Sequence, residues 1–141
     1  MIPEIQIRSA SKEDMGPIEV LMSTYFHNVE GMSADSFAVA ETKGKIIGAG
    51  AIVSDPFPEI HSIAVNPGYR EKRIGTSLVH YLVNRFPAGS TIYVRTTSPV
   101  FFEKTGFVEM EPSKKADLWE NCAKCDKLNR CKQSVMCLEL K

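Results

Sequence analysis

The amino-acid sequence predicts a single α/β domain whose elements stack in layers around a mixed sheet, and three observations carry the prediction. The chain has 141 residues, inside the usual range for one domain and enough to bury one core. Its composition, 43% hydrophobic and 24% charged, is that of an ordinary globular protein and excludes wholesale disorder, collagen-like repeats and a coiled coil. Its periodicities run strand, helix, three strands, helix, strand, helix, two strands, with no internal repeat.

Ile5 and Ile7 alternate with Glu4, Gln6 and Arg8, the period of a half-buried strand. Met15, Ile18, Leu21, Met22 and Tyr25 share one helical face. Asp14 is the expected N-cap, because that start puts Pro17 in the first turn, where its missing N–H costs nothing. Residues 26–36 carry Asn28, Gly31 and Ser33 without a period and read as a loop or short irregular helix. Strands over Ser36–Glu41 and Lys45–Val53 are joined at Thr42-Lys43-Gly44 as a hairpin. Gly48 and Gly50 inside the second suggest a bulge or a close backbone approach. In the strand Glu59–Val65, alternation places Glu59, His61, Ile63 and Val65 on one face and Ile60, Ser62 and Ala64 on the other. Asn66-Pro67-Gly68 ends it. Ile74, Leu78, Leu82 and Phe86, with Val79 and Val83, form the apolar stripe of a helix closed by Pro87 and Gly89. Thr91–Arg95 is a strand, and Ser98-Pro99 and Gly106 bracket a short helix over Pro99–Thr105. Phe107–Met110 and Val135–Leu140 are the last strands, with a cysteine-rich insertion at about residues 117–134 between them, inside one domain spanning 1–141.

Lys plus Arg equals Asp plus Glu at 17 each, so bulk charge supplies no field for nucleic acid or an anionic membrane surface, and neither is an expected partner. No apolar run reaches the ~20 residues of a membrane span. The opening Met-Ile-Pro-Glu-Ile-Gln-Ile-Arg lacks the basic and apolar regions of a secretory signal, so a cytoplasmic protein is expected. In that reducing setting the four cysteines read as metal ligands or free thiols before they read as disulfides.

Chemistry concentrates in Tyr69-Arg70-Glu71-Lys72-Arg73-Ile74-Gly75-Thr76, between a strand and a helix start. Such a junction gathers unpaired backbone N–H groups at the positive end of a helix dipole, and phosphate is their natural ligand. Gly75 lets a ligand approach the backbone, while Arg70, Lys72 and Arg73 add charge at the rim. A solvated basic loop is the alternative. The P-loop and dinucleotide-binding glycine patterns are both absent.

Ile63-Ala64-Val65-Asn66-Pro67-Gly68-Tyr69-Arg70-Glu71-Lys72-Arg73-Ile74-Gly75 resembles motif A of the Gcn5-related N-acetyltransferases (GNAT), Gln/Arg-x-x-Gly-x-Gly/Ala, with Arg70, Arg73 and Gly75 in its three fixed places. Arg73 stands where that pattern has its first glycine. Phe101-Phe102-Glu103-Lys104-Thr105-Gly106-Phe107 is similar to the family's aromatic-x-x-x-Gly-Phe segment. The resemblance implies a GNAT-like three-layer fold with a mixed, mostly antiparallel central sheet flanked by helices, and direct acetyl transfer from acetyl-CoA to a primary amine in a ternary complex. It further implies that the Ile63, Ala64 and Val65 backbone binds the acetyl carbonyl and pantetheine, that Arg70, Glu71, Lys72, Arg73, Ile74, Gly75 and Thr76 cradle the pyrophosphate, and that Phe102 lines the cofactor site. Amide groups aimed at the carbonyl would stabilise the tetrahedral oxyanion.

An ammonium has no lone pair, so the amine must lose a proton before it attacks. Glu59 matches the position where some family members keep a catalytic Glu, and His61, near neutrality in pKa, could relay the proton. Each also reads as an ordinary strand residue. The family often protonates the departing thiolate with a Tyr where this chain has Phe102; water, Tyr93 or Tyr69 are the remaining donors.

Cys122-x2-Cys125-x5-Cys131-x5-Cys137 offers four soft ligands in a segment too short and polar for its own core. Tetrahedral Zn²⁺ would organise it; free thiols are the alternative, and Cys137, in a strand, also reads as a small buried hydrophobe. Trp119-Glu120-Asn121-Cys122-Ala123-Lys124-Cys125-Asp126-Lys127 with Cys131, and Arg95-Thr96-Thr97-Ser98 before Phe101-Phe102, resemble short stand-alone N-acetylglutamate-synthase-type acetyltransferases. That points to a small amine, with glutamate or a related amino acid first, and to Arg95 or Arg8 as the cation for its carboxylate. A protein N-terminus or Lys acceptor, and a non-catalytic CoA-binding sensor or interaction module, are the alternatives. A homodimer is compatible with the sequence.

Overall fold

The computed structural model describes residues 4–25, 27–54, 57–111, 113–114, 118–119 and 133–140, with backbone only at Arg70, Glu71 and Lys72. Seven strands form one sheet in the order β1-β2-β3-β4-β5-β7-β6, where β1 is Gln6–Ser9, β2 Phe37–Thr42, β3 Lys45–Val53, β4 Glu59–Val65, β5 Thr91–Thr96, β6 Val108–Glu109 and β7 Ser134–Glu139. Neighbours pair antiparallel except β4 with β5. Helix α1 (Met15–Thr24) packs Ile18 and Met22 on one face with Phe37, Val39 and Ala49. Helix α2 (Ile74–Val83) packs Ile74, Leu78 and Leu82 on the other with Ile60, Ile92 and Met136, and α3 (Pro99–Lys104) joins that side through Phe102. The mixed three-layer α/β architecture is the expected one. Among the described residues no helix is long and apolar enough to cross a membrane.

Several boundaries move for physical reasons. A 3₁₀ turn, Lys12–Asp14, precedes α1, and Asp14 is already in helical conformation. Its carboxylate reaches back to the Ser11 N–H (2.7 Å) and accepts from the Ser11 hydroxyl (3.0 Å), so Ser11 caps the 3₁₀ turn, while Asp14 stands at the N-cap of α1 as expected but makes no side-chain cap bond there. Pro17 remains in the first turn of the α-helix proper. The hairpin turns at Lys43 (φ 52°) and Gly44 (φ 76°), the two positive angles of a type I′ turn. Both readings of the β3 glycines hold: the β2–β3 register shifts beside Gly48, and α2 lies close over the strand. A Cβ on Gly50 would sit 2.6 Å from Ile63 Cδ1 and 2.9 Å from Leu82 Cδ1.

Alternation fails in β4. The β3–β4 register changes between Ala51↔Ser62 and Ile52↔Ile60, which leaves His61 as an extra, bulged residue. Ile60 therefore joins Ile63 and Val65 on the α2 side, while Ala64 faces α1, contrary to the face assignment by strict alternation.

Candidate active site

β4 and β5 pair at Glu59↔Tyr93 and Ile60↔Val94, with the Tyr93 N–H donating to Pro58 O at 3.0 Å, and then part. Parallel strands lean on an interstrand ladder along their length; where this one stops, a cleft of about 590 Å³ opens in the sheet. Its walls are Ile60 to Val65 of β4, Val94 to Thr96 of β5, and Thr97, Ser98, Phe101 and Phe102 leading into α3. Gly75 at the start of α2, Tyr25 and His27 after α1, and Gln133 close it. The bulge at His61 falls where the strands separate, a common place for a bulge that re-aims a side chain next to a site.

Of the residues that the motif resemblance assigns to the cofactor, Ile63, Ala64, Val65, Gly75 and Phe102 line this cleft. The expected basic turn is a 3₁₀ helix, Pro67–Lys72, capped by the Asn66 side chain, which accepts from the Gly68 N–H at 3.0 Å. Arg70, Glu71 and Lys72 belong to it by backbone; their side chains lie outside the description. Arg73 turns the chain into α2 with φ 58°, the left-handed angle a glycine adopts most easily. Ile74 is 2% exposed and packs in the core, Thr76 is half-buried one residue beyond Gly75, and neither is among the residues lining the cleft. A Cβ on Gly75 would meet the Phe101 ring at 3.0 Å, so its bareness sets the cleft width.

His61 is exposed at the cleft, with Nδ1 3.2 Å from Ser62 Oγ. Desolvation by the surrounding protein lowers its pKa, opposed by the Glu59 carboxylate and reinforced by His27 and Arg95. It is therefore a neutral imidazole at neutral pH, able to accept a proton. His27 is placed by its own N–H, which donates to Met22 O at the end of α1 (2.9 Å).

Glu59 is not a strand-end carboxylate in water: it is 8% exposed. Oε1 accepts from Trp119 Nε1–H at 3.0 Å and Oε2 from Arg95 Nε–H at 3.3 Å. The Arg95 guanidinium carbon lies 4.5 Å from the Trp119 ring centroid, and Phe57, Tyr93 and Trp119 meet edge to face at 5.1–6.4 Å. Sequence reading gave Trp119 no role; a lone Trp needing a partner for its N–H was the available signal. Tyr25, Thr96, Thr97, Ser98 and Gln133 were not singled out for the site either, and lie in segments that only the tertiary fold brings to it.

Arg8 goes elsewhere. It binds Asp14 (2.7 and 3.1 Å) and Glu41 (2.6 Å) at the β1 edge and does not line the cleft. Cys122, Cys125 and Cys131, and with them the Zn²⁺ expectation, lie outside the described residues. Cys137 sits half-buried in β7 opposite Tyr93 and Val108, its thiol pKa pushed up by burial. Among the described residues there is no cluster of three metal-ligating side chains.

A three-layer α/β domain whose sheet splits at a parallel pair, with a helix start at the mouth of the split, can admit a long thin ligand edge-on and hydrogen-bond it as a surrogate strand. Comparison with known proteins places this design. A model of the acetyltransferase (GNAT) domain matches residues 33–109, more than half of the chain. The structure superposes on N-acetylglutamate synthase from Neisseria gonorrhoeae, complexed with coenzyme A and N-acetyl-glutamate, with a TM-score of 0.79 and 18% identity, over 100% of this chain and 36% of that one. Rv2747 from Mycobacterium tuberculosis, in complex with CoA and NLQ, matches with a TM-score of 0.74 and 25% identity over 96% of this chain and 99% of that one. A GNAT-family acetyltransferase from Staphylococcus aureus gives 0.70 and 19%, over 98% and 100%. The chain thus spans about a third of the Neisseria synthase but nearly all of the other two. It belongs to the Gcn5-related N-acetyltransferase (GNAT) family.

Proposed function

We propose that this protein transfers acetyl from acetyl-CoA to the primary amine of a small substrate, an amino acid such as glutamate, by direct attack in a ternary complex. The observation that carries the reading is the parting of β4 from β5 after Ile60↔Val94, which opens β4 toward a cleft that ends at Gly75. Pantetheine runs along Ile63 to Val65, and the pyrophosphate lies over Arg70 to Thr76 at the start of α2, where backbone N–H groups and the helix dipole favour an anion. A backbone amide of β4 donates to the thioester oxygen and stabilises the oxyanion as the amine adds.

His61 takes the amine proton. It lines the cleft and is neutral at working pH, whereas both oxygens of Glu59 are held by Trp119 and Arg95. Water protonates the departing thiolate, an undemanding step for a thiol with a pKa of about 8.5, since Phe102 supplies no hydroxyl. The complexes of two matched proteins with coenzyme A, one of them also holding N-acetyl-glutamate, support this donor and acceptor class.

The test incubates the purified chain with acetyl-CoA and a panel of amino acids, other small amines and a peptide, and follows acetylated product by mass spectrometry. The chain's four cysteines would react with a thiol reagent. Acetylation of an amino acid is the expected result. Acetylation of the peptide alone moves the assignment to protein acceptors, and the absence of any product overturns it.

A further inference from the structure

His61 and Ser62 are neighbours in sequence, and on a regular strand their side chains would stand on opposite faces of the sheet. Here they meet, with His61 Nδ1 3.2 Å from Ser62 Oγ. The bulge allows it, because His61 is the residue left without a partner on β3 while Ser62 pairs with Ala51. Ala51 packs in the cluster that holds Ile18 and Met22 of α1, so the register puts Ser62 on the α1 side of the sheet. Ser62 borders the cleft yet is only 4% exposed. Among the described residues, neither side chain has a further hydrogen-bond partner.

A neutral imidazole carries one hydrogen on two nitrogens, and only the bare nitrogen can act as a base. A serine hydroxyl can donate to Nδ1 or accept from it. If it donates, Nδ1 is engaged and the hydrogen sits on Nε2, which leaves no lone pair for the amine proton. If it accepts, Nδ1–H points at Oγ and Nε2 keeps its lone pair. The second arrangement also survives the reaction. Nε2 takes the proton, the amine nitrogen keeps the electron pair that then adds to the thioester carbon, and the imidazolium that forms already has its Nδ1–H paired. A hydrogen bond to the charged form favours that form, which offsets part of the desolvation at this ring. The charged and titratable groups around His61 are Glu59 on its own strand, Arg95 on β5 and His27 after α1, which act on it through space, and Tyr25, which also lines the cleft.

We infer that Ser62 is a positioning residue for the acetyl transfer: it accepts from His61 Nδ1–H, fixes the tautomer that leaves Nε2 bare, and holds the ring at the cleft. The inference rests on the acetyltransferase reading above and goes beyond it by naming the atom that takes the proton.

The test has a spectroscopic arm and a kinetic arm. Long-range proton–nitrogen correlation spectra of the isotope-labelled chain, with the His61 signals assigned from a His61→Gln sample, report which ring nitrogen carries the hydrogen. Hydrogen on Nδ1 and a bare Nε2 above the pH where His61 titrates is the expected result. Ser62→Ala keeps the β-carbon and removes the acceptor. It is expected to move the His61 titration down by roughly half to one pH unit and to lower kcat roughly 5- to 10-fold, with KM for acetyl-CoA within about two-fold of wild type. Ser62→Thr, which restores a hydroxyl, is expected to recover most of kcat. The wild-type spectra need no substitution at Ser62, so the tautomer is read even where a variant does not fold.

Three results overturn the inference while the acetyltransferase reading stands: hydrogen on Nε2 in the resting wild type, a His61 titration that moves up in Ser62→Ala, the sign of a hydroxyl that donates, or an unchanged kcat in that variant. A wild type that acetylates no amine defeats that reading first, and the positioning role with it.

Discussion

Two arginines divide the molecule into a part that is stapled and a part that is poised. Arg8, on the edge strand β1, meets two carboxylates: Asp14 through both its terminal nitrogens and Glu41 through one of them. Arg95, at the apex of the cleft, meets the Glu59 carboxylate through Nε and lies over the Trp119 ring, on the wall of a cavity. The first arrangement sets one positive charge against two negative ones and ties β1, the start of α1 and β2 together. The second fixes its cation beside a buried carboxylate and an indole in the cleft wall. The same residue type braces the edge of the sheet at one end and stands in the wall of the cleft near the middle, and what differs is the place the fold gives it.

The sharpest way to break that contrast is to remove the proposed base beside Arg95. His61→Gln should lower kcat by roughly 10²- to 10⁴-fold and leave thermal stability and acetyl-CoA affinity near wild type, because the side chain is exposed. The pH profile carries the sign. A base must be neutral to act, so kcat should rise with pH and level off, with its inflection below the ordinary histidine value because desolvation lowers this imidazole. A wild-type profile flat through the acid range, or a variant with unchanged kcat, removes His61 from the step.

Arg8→Ala should do the reverse. Losing a part-buried guanidinium strands Asp14 and Glu41, at a cost of about 1–3 kcal/mol seen in denaturant melts, with kcat/KM unchanged at temperatures where the variant is folded. The Arg8 guanidinium, with Ser11 behind it, holds the Asp14 carboxyl well below the usual carboxylate range. A depressed folded-state pKa contributes stability that is fully present above the unfolded value, near 3.9, and is lost as pH falls below it. Wild type should therefore lose more stability than Arg8→Ala between neutral pH and pH 3. Parallel losses in the two proteins would show that the clamp is not linked to that proton.

The two regions were unequally legible. On the stapled side, alternation and turn chemistry led straight to β1, β2 and β3, and Lys43-Gly44 announced the hairpin, because those signals are local. At the cleft, the motif around Arg70 to Gly75 and the β4 backbone could be located, but not the reason the sheet opens there. A bulge is a mismatch between two strands, so nothing in Glu59 to Val65 alone reveals that His61 is the unpaired residue or that Ile60 changes face. The Trp119 contact to Glu59 spans 60 positions and no periodicity reports it. Arg8 and Arg95 looked equivalent as cations for a substrate carboxylate until the fold put Arg95 in the cleft wall and Arg8 at the β1 edge.

A smaller perturbation narrows the poised region without touching its charges. Gly75→Ala gains helix propensity but places a methyl group 3.0 Å from Phe101 Cε1, so the ring must yield toward the cleft. Stability should stay within about 1 kcal/mol of wild type, while KM for acetyl-CoA rises about five-fold, the equivalent of about 1 kcal/mol of overpacking. Unchanged KM would mean that Phe101 moves away from the ligand path.

The smallest expected effects compare the non-glycine residues Lys43 and Arg73, at φ 52° and 58°. A left-handed conformation costs a side-chain-bearing residue about 1–2 kcal/mol, and glycine relieves it but loses about 0.5–1 kcal/mol through unfolded-chain entropy. Lys43→Gly and Arg73→Gly should thus each shift stability by less than about 1 kcal/mol, in the stabilising direction, and by similar amounts. Their kinetics should separate. Lys43 turns a hairpin in the stapled half and its variant should keep every kinetic constant, whereas Arg73 stands at the entrance to α2 beside the proposed pyrophosphate site, where losing a cation should raise the acetyl-CoA KM a few-fold at low salt and less at high salt. An identical kinetic response in both variants would place the pyrophosphate away from that helix start.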